Sequence, residues 1–100
     1  MRQKLLTKAL CRRLPPLGSA QQDGLDALAL VKFFYPDFSW TWYGVEFDGN
    51  DLFWGLVDGF DKELGMFSLS ELKANRGKLG LSLERDRFFK PVSLKTLLTT

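Results

Sequence analysis

Phe38-Ser39-Trp40-Thr41-Trp42-Tyr43-Gly44-Val45-Glu46-Phe47, then Asp48-Gly49-Asn50-Asp51, then Leu52-Phe53-Trp54-Gly55-Leu56-Val57: this stretch decides the fold. Two runs of aromatic and β-branched residues flank a short polar break, which is the pattern of a β-hairpin. A four-residue loop sets Phe47 opposite Leu52, Val45 opposite Trp54 and Tyr43 opposite Leu56. Side chains alternate strictly along a strand, so that face is wholly apolar and belongs to the core. The other face carries Trp40, Trp42, Gly44 and Glu46 beside Phe53, Gly55 and Val57, with Gly44 across from Gly55. Facing glycines leave a depression that a ring or another backbone can enter. Either loops and the C-terminal segment pack this second face, or it stays partly open. If open, Trp40, Trp42, Glu46 and Phe53 form a protein-binding or dimer surface, because monomers rarely expose contiguous apolar patches.

Working outward, Leu28 to Tyr35 reads as a preceding strand, with Pro36-Asp37 as the turn into Phe38. Gly59 to Gly65 reads as a connection and Met66-Phe67 as part of a short fourth strand. Ser68-Leu69-Ser70-Glu71 matches a capping box, in which the serine accepts an amide and the glutamate reaches back. The short helix it opens turns Leu69 and Leu72 inward and has Gly77 as its stop. Leu79 and Leu81 read as buried, Arg87 to Lys90 as extended, and Ser93 as the cap of a last helix with Leu94, Leu97 and Leu98 inward. At the start, Leu6, Leu10 and Leu14 recur at helical spacing opposite Lys4, Lys8 and Arg12. Thr7 is a candidate cap, in which case the helix begins near Lys8, and Pro15-Pro16 ends it.

A chain of 100 residues, 45% hydrophobic, makes one domain over 1–100 with a single modest core. Of its 14 aromatic residues, 12 fall between Phe33 and Phe67. Large rings bury much area each, which suits a short chain without disulfide staples. The net charge of +2 hides a division. Residues 1–20 carry five bases and no acid, residues 21–65 nine acids and two bases, and residues 66–100 seven bases and three acids. Basic helices packed beside an acidic sheet would neutralise part of this; otherwise the surface is polarised toward a charged partner.

The sequence offers little for chemistry. Without histidine it lacks the commonest general base and zinc ligand, and one cysteine, Cys11, completes neither a disulfide nor a zinc site. Asp48 with Asp51 is explained by turn geometry, and the pairs among Asp58, Asp61 and Glu63 are generic. No phosphate-cradling glycine loop is present. No catalytic, cofactor-binding or metal-binding residue is therefore assigned, and no cofactor is expected. Lys8, Arg12, Arg13, Arg85 and Arg87 are the candidate basic contacts to nucleic acid, joined more loosely by Arg76, Lys78 and Lys90. No run approaches the roughly 20 apolar residues of a membrane span, so a cytoplasmic protein without membrane association is expected. The basic N-terminus is read as part of the domain and not as a presequence.

Several motifs in order carry a resemblance. These are Leu5-Leu6-Thr7, Val31-Lys32-Phe33-Phe34, Thr41-Trp42, Phe53-Trp54-Gly55-Leu56-Val57-Asp58, Glu63-Leu64-Gly65, Ser68-Leu69-Ser70-Glu71-Leu72, Gly80-Leu81-Ser82-Leu83-Glu84-Arg85-Asp86 and Phe89. The chain resembles a family of short bacterial proteins classed as a domain of unknown function, common on plasmids, integrative elements and phage-derived islands. It departs from that pattern in its unusually basic first helix and in Trp40. The resemblance implies an accessory protein of a mobile genetic element and assigns no residue a catalytic role. Accessory genes of this kind often encode stoichiometric inhibitors of host defence, against CRISPR complexes or restriction systems. Glu84-Arg85-Asp86 reads as an ion-pair network tying the C-terminal segment to the sheet.

The expected fold is α+β: a small antiparallel sheet of three to five strands, with two or three short helices packed mainly on one face. The expected function is a non-enzymatic protein-binding module, monomer or homodimer, acting on a host or element-encoded complex. A nucleic-acid-binding accessory protein is the alternative, and a metal-dependent enzyme using acidic residues stands behind both.

Overall fold

A computed structural model describes residues 5–100; Arg2 and Lys4, two of the N-terminal bases, lie outside the described residues. The chain is α+β. Helix α1 (Lys8–Arg13) is followed by 3₁₀ turns over Gln21–Asp26, interrupted at Gly24, and by strands β1 (Leu28–Ala29) and β2 (Val31–Phe34). The hairpin β3 (Thr41–Phe47) and β4 (Leu52–Asp58) leads into β5 (Lys62–Ser68) and α2 (Leu69–Ala74). The chain closes with β6 (Glu84–Arg85), β7 (Val92–Ser93) and α3 (Leu94–Thr99). Five strands form one antiparallel sheet in the order β5-β4-β3-β2-β6, while β1 and β7 pair separately.

Each helix begins where its side chains supply the missing acceptor. Thr7 Oγ1 accepts from Leu10 N at 3.1 Å, Ser68 Oγ from Glu71 N at 3.3 Å, and Ser93 Oγ from Thr96 N at 3.2 Å. The α2 cap is reinforced from the hairpin loop. Asp51 accepts from Ser70 N at 2.7 Å and from the Ser68 and Ser70 hydroxyls at 2.5 and 2.8 Å. Its neighbour Asp48 closes the loop itself, taking the amides of Asn50, Asp51 and Leu52 on one oxygen. Gly49 sits there at φ 87°, the left-handed conformation that favours glycine.

The hairpin follows the expected register from Thr41–Asp58 through Gly44–Gly55 and then departs from it. A bulge sets Val45 and Glu46 together against Trp54, so Phe47 pairs with Phe53 and not with Leu52. One extra residue in a strand re-aims every side chain beyond it. Phe47 thus moves to the face of Trp42 and Phe53, and Glu46 moves away from it. Gly55 makes room for the bulge: a Cβ there would lie 1.9 Å from the Tyr43 carbonyl oxygen.

Both faces of the sheet are covered. One carries Val31, Phe33, Tyr35, Trp42, Phe47, Phe53 and Phe67 under Leu10 and Leu14 from the α1 region, Leu69 and Leu72 of α2, and Leu83. The Tyr35 hydroxyl donates to the Leu72 carbonyl and ties α2 down. On the other face, Val45 and Leu56 meet Ala20, Ala27, Ala29 and Leu94, flanked by Leu97 and Leu98. Two of the three α-helices, α1 and α2, thus pack on one face, and α3 covers the other.

Five local expectations are corrected. The stretch from Leu28 to Tyr35 is two strands in two sheets, broken at Leu30, whose amide donates to Gly44 O at 2.9 Å. Residues 62–65, expected in a loop, belong to β5, because Leu64, Gly65 and Met66 pair in register with Leu56, Gly55 and Trp54. Leu79 and Leu81 are exposed. Their loop is held through the backbone, both amides donating to Asp37 Oδ2, and Gly77 serves that contact and not the end of α2. Residues 87–88 turn, and the extended piece is Glu84–Arg85.

Candidate binding surfaces

The sequence placed a candidate interaction surface on Trp40, Trp42, Glu46 and Phe53, and the structure closes most of it. Phe53 is 0% exposed, Glu46 3% and Trp42 8%. Phe53 packs among Phe33, Phe47 and Phe67 at ring separations of 5.6, 4.4 and 5.2 Å. Its ring also fills the space over Gly44, where an added Cβ would meet both Phe53 and Val31 at 2.7 Å. The depression between the facing glycines is thus occupied from within.

Glu46 has become an internal staple. Its two carboxylate oxygens accept from Gly18 N at 2.8 Å and Ala20 N at 2.7 Å. Buried charge is tolerated when hydrogen bonds satisfy it, and here they bind residues 15–20 to β3. Phe47 N adds a 2.9 Å bond to Pro15 O.

Trp40 alone of the four reaches the surface, and it brings an aromatic tip with it. Its indole stacks on Phe38 at 6.1 Å, tilts against Trp42 at 6.2 Å and meets Phe60 edge-on at 5.3 Å. Phe60, in the β4–β5 turn, is 93% exposed. Gly59 lets the turn lie flat on the indole, since a Cβ there would come within 2.7 Å of the ring. Asp61 follows Phe60 in the turn and Glu63 pairs with Val57 on the edge strand, whereas Asp58, paired with Thr41, acts on Tyr43. Sequence reading missed Phe60 because it had been assigned only to a connection. The missed signal was a large ring inside Asp58-Gly59-Phe60-Asp61, where a turn needs none.

The basic candidates separate into two groups on either side of α1. Lys8 and Arg12 line a shallow concavity with Leu6 and Cys11, and Cys11 is exposed. Arg13 instead faces a cleft of about 250 Å³ between α1 and the β2–β6 edge, where Arg85 and Arg87 join it. Arg13 is brought beside Arg85 and Arg87, far along the chain, because β6 pairs with β2. Asp86 also lines the cleft. Its carboxylate is turned to other partners, one oxygen accepting Phe88 N at 2.9 Å and the other 3.9 Å from Lys32 Nζ. Within the expected Glu84-Arg85-Asp86 network, the Asp86–Lys32 pair ties the segment after β6 to β2.

Among the described residues, no group of three or more Cys, Asp or Glu side chains is placed to hold a metal ion. No helix among them is long and apolar enough to cross a membrane. A family model described as a protein of unknown function, DUF2958, matches residues 5–97. The chain belongs to that family. Membership covers both faces of the sheet, the aromatic tip and the arginine cleft, and it assigns none of them an activity. No curated protein and no solved structure matches the chain.

Proposed function

We propose that this DUF2958 protein is a non-enzymatic binding module that docks on another protein through its aromatic tip. The supporting observation is Phe60, 93% exposed and held edge-on against Trp40 by a turn that Gly59 flattens. An exposed phenylalanine gains nothing for the fold, whereas a preorganised aromatic ring is the usual centre of a protein interface. The acids that follow it in the chain, Asp61 and Glu63, suit a partner with a basic rim. In this reading the protein is a cytoplasmic accessory factor of a bacterial mobile element. It acts by stoichiometric binding to a host or element-encoded complex, with defence complexes the leading targets.

The test is affinity purification from a bacterial host with the wild-type protein and with Phe60→Asp. Native mass spectrometry of the captured complex then reads the stoichiometry. The reading expects a defined complex with the wild type and its loss in the variant, with an unchanged circular dichroism spectrum. Capture of nothing above background, or equal capture by both proteins, removes it.

A further inference from the structure

We propose that β5 pairs with β5 of a second copy of this chain, joining two five-stranded sheets into one across a two-fold axis at Gly65. The sheet ends on β6 at one side and on β5 at the other. β6 is two residues long, whereas β5 runs from Lys62 to Ser68 and pairs with β4 at every position. Among the described residues, no strand lies on its outer side. Leu69 N donates to Asp51 O at 3.0 Å, one step beyond the Leu52–Ser68 pair, so that pair is of the non-hydrogen-bonded kind. By alternation Glu63, Gly65 and Phe67 bond inward to β4, while Lys62, Leu64 and Met66 turn their amides and carbonyls outward. Edges of this length are ordinarily guarded by a bulge, a proline or an exposed lysine. β5 has neither bulge nor proline. Its lysine is tied back into its own chain, Lys62 Nζ donating to Leu97 O at 2.8 Å and to Thr100 O at 2.6 Å.

The strand also complements itself. Outward groups must meet outward groups, so antiparallel self-pairing sets even-numbered residues against even-numbered ones. The register centred on Gly65 uses the whole strand: Leu64 faces Met66 of the second copy, Glu63 faces Phe67 and Lys62 faces Ser68, each pair occurring twice. No like charges oppose one another there, whereas the register centred on Glu63 sets that acid against itself. Leu64 and Met66 are 43% and 49% exposed and stand on the same face as Leu56 and Trp54. Pairing joins these two side chains to their copies in one apolar strip, the isologous contact of a two-fold dimer. This surface is the edge of the sheet and does not depend on the protein-binding reading of the tip.

A strip of seven residues a side is well below the roughly 20–30 of a standard interface, so the association should be weak and concentration-dependent. Sedimentation velocity of the full chain in reducing buffer, from about 1 μM to about 1 mM, covers that affinity range. The mass should rise from 11.4 kDa toward twice that value. Leu64→Lys/Met66→Lys sets lysine against lysine at both apolar pairs and should weaken association about tenfold or more. Cross-linking in a Cys11→Ser background, which removes the one thiol of the chain, reads the register. Gly65→Cys adds its side chain into open space, and two-fold-related Cα atoms about 4.5 Å apart suit a disulfide, so mild oxidation should give a covalent dimer. Glu63→Cys is at the more exposed site but lies about 14 Å from its copy, and should stay monomeric. The proposal is overturned by a mass of 11.4 kDa throughout, by association that survives the lysine variant, or by equal cross-linking at positions 63 and 65. Phe60→Asp should leave the association unchanged; its loss there would make the aromatic tip the self-contact and overturn the strand pairing.

Discussion

The rings around Phe53 and the rings around Phe60 are the same chemistry under opposite conditions. Phe53 stands mid-sheet with three phenylalanines within 5.6 Å and no exposed surface. Phe60 stands at a turn, rests on Trp40 and leaves nearly all of its surface to water. The difference is made by covering elements and not by the residues themselves. Over Phe53 lie α2, the Leu83 segment and the α1 region, tied down by Asp51 and Tyr35. Aromatic density in the sequence therefore marks both the core and an exposed tip, and only the topology separates them.

The largest expected effect breaks the first of these regions. Phe53→Ala should cost about 3–5 kcal/mol, the lost transfer energy of the ring together with the cavity left between stacked neighbours. Phe60→Ala should stay within about 0.5 kcal/mol of wild type, as a surface change touching no buried contact. Urea denaturation of the two variants measures both. Similar losses would mean that the tip is structural and that the two sets of rings do one job.

A finer contrast lies along the row of paired glycines Gly44, Gly55 and Gly65, which crosses three strands. At Gly55 a methyl group meets the Tyr43 carbonyl at 1.9 Å, a backbone atom fixed by the bulge, whereas at Gly65 it meets nothing within 4 Å. Gly55→Ala should therefore destabilise by about 3 kcal/mol, the upper range for overpacking. Gly65→Ala on the edge strand should be neutral or stabilising by up to about 1 kcal/mol through the unfolded chain. Thermal melts of the two variants give the comparison directly. Equal destabilisation would show that the row is needed for strand flexibility and not for the close approach at the bulge.

Much of the buried region was legible in the sequence, because local patterns specify local structure. Alternation gave the hairpin and its register as far as Gly44–Gly55, and Thr7, Ser68 and Ser93 marked three helix starts. Val45-Glu46-Phe47 carries no mark of a bulge, so the sequence puts Glu46 on the face of Trp40 and Trp42, whereas the bulge turns it away and buries it as a staple. Lys62-Glu63-Leu64-Gly65 looked like a loop because an edge strand with a glycine has no clean alternation. The arginines at 13, 85 and 87 were identifiable one by one. Their convergence depends on β6 reaching β2 across some 50 residues of chain, which periodicity cannot convey.

The smallest expected effect concerns the lid over Phe53 and is read through pH. Asp51 joins the hairpin loop to the start of α2, and the Ser68 and Ser70 hydroxyls, with the Ser70 amide, hold its carboxyl below the ordinary value of 3.8. Asp48 is lowered in the same direction by the amides of Asn50 and Asp51. A carboxyl depressed in the folded state stabilises it above the unfolded-chain value, and that contribution disappears as pH falls through the folded value. The wild-type Tm should therefore drop on acidification from neutral pH to below 3.8. Asp51→Asn removes one of the two groups, so it should melt lower than wild type at neutral pH and lose less on acidification, the two melts converging in acid. Because Asp51 anchors the lid and not the tip, loosening should expose Trp42 to iodide quenching while Trp40 stays as accessible as before. An acid transition that opened Trp40 and Trp42 together, with no difference between wild type and Asp51→Asn, would show that the two regions unfold as one and that the loop–helix bridge does not hold the core closed.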